Sequence, residues 1–262
     1  MINMTIMGGL GNQLFQWACA RNLQEKYGHY INYNLDFFSS QNLRTFQLTE
    51  FKNLNLNSVE NNNDSYLYAT NVRDDFYYEN FCRNDFSKKE KLYDLCGYWQ
   101  SEKYFQENSN IIKKDLDISQ SLLYTLKERY SWLGSENTVS LHVRRTDYVN
   151  KQNYHPIPPV QYYKDALDLI EHDKVIVFSD DINWCKENFQ FNNTVFIEGN
   201  SNIDDLYLMS MCNNNVIANS SFSWWAAWLN KNGSKKIVAP KVWFGPAAPN
   251  DKDIVPDTWT KI

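Results

Sequence analysis

Apolar positions in the second half of the chain fall into short blocks separated by longer, amphipathic ones. Residues 138–143, 174–178, 194–197, 215–218 and 236–239 are strand-length apolar runs. Between them, residues 160–171, 181–188, 203–211 and 223–230 repeat apolar side chains at helical spacing. Such alternation predicts an α/β class, a parallel sheet covered by helices on both faces. The chain opens in the same way, with a strand over 2–7, a turn Gly8-Gly9-Leu10-Gly11-Asn12, a helix over 12–27 and a strand over 30–34. Across residues 37–94 the pattern is poor, and Asn61-Asn62-Asn63-Asp64 marks a loop tip. Order returns at Leu95-Cys96-Gly97-Tyr98-Trp99 and in helical segments over 101–132. A connector at 133–137 divides the chain into expected lobes 1–132 and 133–262.

Composition narrows the class. With 43% hydrophobic and 22% charged residues the chain is that of an ordered globular protein. A formal net charge of −5 disfavours a broad electropositive face, so nucleic acid is not an expected partner. The 16% aromatic content supports a large core and a sugar-stacking surface. No run reaches the roughly 18 apolar residues of a membrane span, and the first residues lack the basic start of a secretory signal. Five scattered cysteines suit neither a disulfide framework nor a zinc site, and point to reduced thiols in a cytoplasm.

In a parallel sheet, ligands sit outside the carboxyl ends of the strands. Conspicuous residues fall there. His142-Val143-Arg144-Arg145-Thr146-Asp147 ends one strand, and adjacent guanidinium groups in that place match an anion such as phosphate. Asp147 would orient one arginine, and His142 would bond a base or sugar edge. Asn219-Ser220-Ser221-Phe222 leads from a second strand into a helix, whose free N–H groups and dipole form an anion receptor. The serines would supply a helix cap and hydroxyl donors. In the first lobe, Gly9 and Gly11 allow close backbone approach, and Asn12 and Gln13 would present amides to a ligand. Asp204-Asp205 opens a helix, where one of the pair would be a helix-start acid and the other would accept from the N–H edge of a purine. Asp115-Leu116-Asp117 and Asp251-Lys252-Asp253 fit a metal-binding pattern but read as solvated surface charge, so no metal ligand is expected.

These residues, in this order, resemble the α-1,2-fucosyltransferases of glycosyltransferase family 11. The resemblance is carried by Met7 to Phe15, by His142 to Asp147, and by Phe178-Ser179-Asp180-Asp181 with Trp184-Cys185. It continues through Leu208-Met209-Ser210, Asn219 to Trp225, and Ala239-Pro240-Lys241 with Trp243-Phe244. It implies a GT-B fold of two Rossmann-like lobes facing across a cleft, GDP-β-L-fucose as donor, and inverting, metal-independent transfer to the 2-hydroxyl of a terminal galactose on an oligosaccharide. No cofactor is implied. On this resemblance Arg144 would contact the β-phosphate with Arg145 in support, and Ser220, Ser221 and Phe222 would cradle the diphosphate. His142 and Asp205 would address guanine, and Asn12 would face the fucose and acceptor. Asp147 and His155 are the two side chains with the chemistry of a general base, and a departing phosphate oxygen accepting the proton, with no protein base, is the alternative. Residues 37–94 would shape acceptor choice. The implied setting is bacterial and cytoplasmic, extending to peripheral association with the inner membrane face. Transfer from a different nucleotide sugar, and glycan or nucleotide binding without turnover, are the alternatives.

Overall fold

A computed structural model describes residues 1–54, 56, 69–74, 76–248 and 250–262. The predicted loop tip at Asn61 to Asp64 lies outside them. The chain forms two compact units, Met1–Asp117 with Lys252–Ile254, and Ile118–Asp251 with Val255–Ile262.

In the first unit, β1 (Ile2–Thr5), α1 (Leu10–Tyr27) and β2 (Ile31–Asn34) are followed by α2 (Asp36–Ser39), β3 (Ala69–Arg73), α3 (Tyr78–Phe81), β4 (Leu92–Cys96) and α4 (Ser109–Asp115). The four strands run parallel in the order β2-β1-β4-β3. Ile2, Met4 and Ile6 are fully buried, as are Leu14, Phe15, Trp17 and Ala18 of α1. The helix ends at Gly28, whose φ of 68° lets its N–H return to Gln24 O. β3 escaped the sequence pattern because it is an edge strand with Val72 as its one buried residue.

In the second unit, α5 (Gln120–Arg129), β5 (Thr138–Val143), α6 (Val160–Asp168), β6 (Lys174–Ser179) and α7 (Ile182–Asn188) come first. They are followed by β7 (Thr194–Phe196), α8 (Asn202–Met211), β8 (Asn214–Val216), α9 (Ser221–Leu229), β9 (Ile237–Ala239) and β10 (Thr260–Lys261). The sheet order is β10-β9-β8-β5-β6-β7, all parallel. Counted within the unit this is the doubly wound order 3-2-1-4-5-6, whose direction reverses between β5 and β8. All six residues of β5 are buried, and Val139, Leu141, Val143, Tyr163, Ala166, Val175 and Val177 pack one core. Trp224 and Trp225 of α9 are fully buried.

The units divide after Asp117 rather than at 132/133. α5 is tied to the start of α8, since Arg129 bonds Asn200 Oδ1 at 2.8 Å and lies 3.7 Å from Asp204, and the Tyr130 hydroxyl donates to Asn200 at 2.9 Å. No helix among the described residues is long and apolar enough to cross a membrane. All five cysteines are free thiols.

Candidate functional site

The reversal point of the second sheet places the loops after β5 and β8 side by side, because Leu141 and Val216 are register partners. Arg144 leaves the end of β5 between two carboxylates. Its Nε and Nη2 contact Asp147 Oδ1 at 2.9 and 2.6 Å, and its Nη1 is 3.2 Å from Asp180 Oδ2. Arg145 donates through Nε to Asp181 at 3.1 Å, and its guanidinium lies 3.8 Å from the Trp184 ring centre. Asp180 also accepts from the Arg145 N–H at 2.9 Å, the Thr146 N–H at 3.2 Å and the Thr146 hydroxyl. Burial alone would raise its pKa, but Arg144 and these donors outweigh burial and hold it below the usual carboxylate range. The arginine pair therefore comes with Asp180, Asp181 and Trp184, residues that carry part of the family resemblance without an evident role in the sequence. The signal available in the sequence was Asp180-Asp181 directly after a strand, where ligand-side residues of a parallel sheet fall.

The loop after β8 is joined to the arginines through Tyr148, whose ring lies 5.7 Å from the Arg144 guanidinium and whose hydroxyl donates to Asn219 O at 3.1 Å. Asn219 differs from the expectation. Its side chain is buried and donates to Pro156 O at 2.8 Å and Trp243 O at 2.9 Å, so it braces two loops instead of facing a ligand. Ser220 occupies the cap position of α9, yet its hydroxyl makes no capping bond. The helix start is thus left without a side-chain acceptor, while Ser221 and Phe222 form its partly exposed first turn. The His142 ring lies 5.7 Å from Phe222. Burial, reinforced by Arg144 and opposed by Asp180, holds His142 well below the ordinary imidazole range. His155 stacks on Tyr148 at 4.5 Å, and burial lowers its pKa against the pull of Asp147. His142 Nδ1, His155 Nδ1 and Asn219 Oδ1 are buried without a hydrogen-bond partner, three unmet polar atoms around one pair of strand ends.

Asp205 accepts from Asn200 Nδ2 at 2.9 Å in the first turn of α8, and burial pushes its pKa up to about 6.

In the first unit, Gly8 has φ +79° and its missing Cβ would lie 2.7 Å from Asn12 Nδ2, so the turn admits only glycine comfortably. Gly9 O receives the first N–H groups of α1, from Asn12 and Gln13, and Gly11 is buried within it. Asn12 is partly exposed and accepts from Gln100 at 2.7 Å. Gln13 departs from the expected ligand-facing amide. It is fully buried, donates to Gly8 O and Thr45 O, and accepts from Gln47 N–H, which locks the turn to the following segment.

Asp115 pairs with Arg21 at 2.9 Å, Asp251 accepts from Trp243 and Phe244 N–H groups, and Asp253 is only 7% exposed beside Lys103. These aspartates are structural anchors, not the solvated charges expected of them. Among the described residues no group of three or more His, Cys, Asp or Glu converges as a metal site.

The profile of Glycosyl transferase family 11 matches residues 69–262. The chain is 30% identical to the O-antigen biosynthesis glycosyltransferase WbnK of Escherichia coli, over 98% of this chain and 99% of that one. It is 31% identical to an alpha-1,2-colitosyltransferase of Escherichia coli, over 98% and 97%. A galactoside alpha-(1,2)-fucosyltransferase 1 of Alouatta belzebul is 29% identical over 42% of this chain and 34% of its own length. Among solved structures, fucosyltransferase NodZ from Bradyrhizobium superposes with a TM-score of 0.54 at 13% identity, covering 95% of this chain and 96% of that one, a likeness of fold.

Proposed function

The chain belongs to glycosyl transferase family 11, and from that premise we propose that it moves L-fucose from GDP-β-L-fucose to the 2-hydroxyl of a terminal galactose, with inversion and without a metal ion. At the coarser level it is a glycosyltransferase of the fucosyl and colitosyl type with a GT-B-class fold. The observation that carries the finer reading is the carboxylate-held arginine pair beside the uncapped start of α9, at the reversal point of a doubly wound sheet.

The mechanism follows from charge. As the donor C1–O bond breaks, the electron pair leaves on the β-phosphate and the sugar gains oxocarbenium character. Arg144 and the N–H groups opening α9 stabilise that growing charge, a role worth about 2.7–4 kcal/mol per donor in comparable anion holes. Arg145, Ser220, Ser221 and Phe222 complete the diphosphate cradle. His142, kept neutral by burial with an unmet Nδ1, and Asp205 address the base. The acceptor hydroxyl attacks C1 from the opposite face, and its proton passes to Asp147 or to the unprotonated His155. Asn12, of the first unit's glycine turn, is the residue proposed for the fucose and acceptor. The corresponding setting is the cytoplasm, at the inner membrane face.

A second reading rests on the colitosyltransferase, 31% identical over nearly the whole chain: the donor is GDP-colitose, whose sugar is fucose without its 3-hydroxyl. Transfer to lactose or N-acetyllactosamine from each donor, with excess EDTA present, tests both. An α-1,2-linked fucosyl product with undiminished yield is expected. Preference for colitose would select the second donor. Transfer only from UDP- or ADP-sugars would overturn both readings, and recovery by Mg²⁺ would overturn the metal-free mechanism.

A further inference from the structure

Arg144 is held by two carboxylates that differ in what decides whether a partner can be released. Asp180, on the neighbouring strand end, has a side chain only 19% exposed and accepts three further donors from Arg145 and Thr146. Asp147 is 38% exposed and sits three residues along the same loop as the arginine. Together with the Arg145–Asp181 pair, two guanidinium groups face three carboxylates, one excess negative charge among these five side chains, with Lys151 a further cation beside His155, in a place read here as receiving a diphosphate. Adding several more negative charges is unfavourable unless a carboxylate withdraws. Withdrawing Asp180 would strip a part-buried carboxylate of its cation. Withdrawing Asp147 gives up a part-buried pair within one loop, whose carboxylate at 38% exposure is the more accessible to water of the two.

On the reading that Arg144 receives the β-phosphate, we propose that donor binding exchanges one partner of this arginine: a diphosphate oxygen takes Nε and Nη2 from Asp147, while Asp180 keeps Nη1. Asp180 is then the positioning residue of the site, and Asp147 an internal competitor for the same guanidinium. No covalent bond changes in the exchange. Its consequence is release: once the sugar has been transferred, Asp147 recaptures Arg144 and lowers the hold on GDP, so affinity is set by two competing ion pairs.

The two carboxylates must therefore respond with opposite sign. Calorimetric titration of the full chain with GDP in EDTA, repeated with Mg²⁺, tests this on Asp147→Asn, Asp180→Asn and Asp181→Asn, each checked by thermal melting. Asp147→Asn should bind GDP about three- to tenfold more tightly and release it more slowly, and Asp180→Asn about tenfold more weakly. Asp181→Asn removes the same charge without freeing Arg144, so its gain should be smaller than that of Asp147→Asn. Weaker binding by Asp147→Asn, an equal gain at Asp181, or unchanged binding by a folded Asp180→Asn would overturn the exchange. If Asp180→Asn fails to fold, the comparison of Asp147 with Asp181 still decides. GDP binding that requires Mg²⁺ would show a cation cancelling the excess charge, and would also overturn it. A wild-type chain that binds no GDP in either buffer would instead remove the functional reading on which the exchange rests.

Discussion

A guanidinium matters to this site through where it is held, and Arg144 is held before any ligand arrives. Its contribution in the proposed reaction grows as charge develops on the leaving phosphate. Arg144→Ala is therefore expected to lower kcat about 10²–10³-fold while changing acceptor KM far less, measured by steady-state transfer. Equal kcat would remove Arg144 from the mechanism. Asp205 makes a separate, pH-dependent prediction. Its folded pKa is raised from 3.8 to about 6 by burial, so the folded state favours the protonated carboxyl. The favourable term is present below pH 3.8 and lost as pH rises through about 6. Asp205→Asn should thus raise the melting midpoint at pH 8, by at most about 3 kcal/mol of stability, and leave it unchanged near pH 3.5. The same variant should bind GDP more weakly if the carboxylate accepts from guanine.

At the scale of elements, the loops that build the site are braced by side chains buried outside it. Asn219 ties the loop ahead of α6 to the loop after β9 through the carbonyls of Pro156 and Trp243. Asn219→Ala leaves the buried Trp243 carbonyl and the part-buried Pro156 carbonyl short of a donor and should cost about 1–3 kcal/mol, read from denaturant unfolding. It should also loosen the Tyr148–His155 stack, visible as faster hydrogen exchange across 153–157. The helices and strands of the second unit match the apolar pattern to within a few residues, and β5 matches fully. β3 and β10 do not show in the pattern. β10 is two exposed residues held by backbone bonds to β9, and edge strands of this kind need no apolar signature.

For the molecule as a whole, the compact units are not contiguous segments, since Lys252–Ile254 belongs with the first 117 residues. Asp253 is the reason. Its carboxylate meets Lys103 Nζ and the Tyr78 N–H, and its carbonyl accepts from the Ser101 hydroxyl. Asp253→Ala should destabilise the first unit selectively, with hydrogen exchange quickening around residues 78 and 101–104 while β5 to β9 keep their protection. Uniform loss of protection would refute that assignment.

Local information was enough for the α/β class, for most elements, and for placing the arginine and serine turns at strand ends. Side-chain period and strand length are properties of neighbouring residues, and so is the position of both arginines directly after a strand. The identity of Arg144's second carboxylate, the burial of Gln13 and Asn219, and the structural use of Asp253 were decided only in the folded chain. Asp180 reaches Arg144 because β5 pairs with β6, and nothing in a spacing of 36 residues states which strands will be neighbours. An amide in a turn looks the same in sequence whether it meets a ligand or a carbonyl. Strand order and packing make that choice, since a buried amide must find its partners inside the protein.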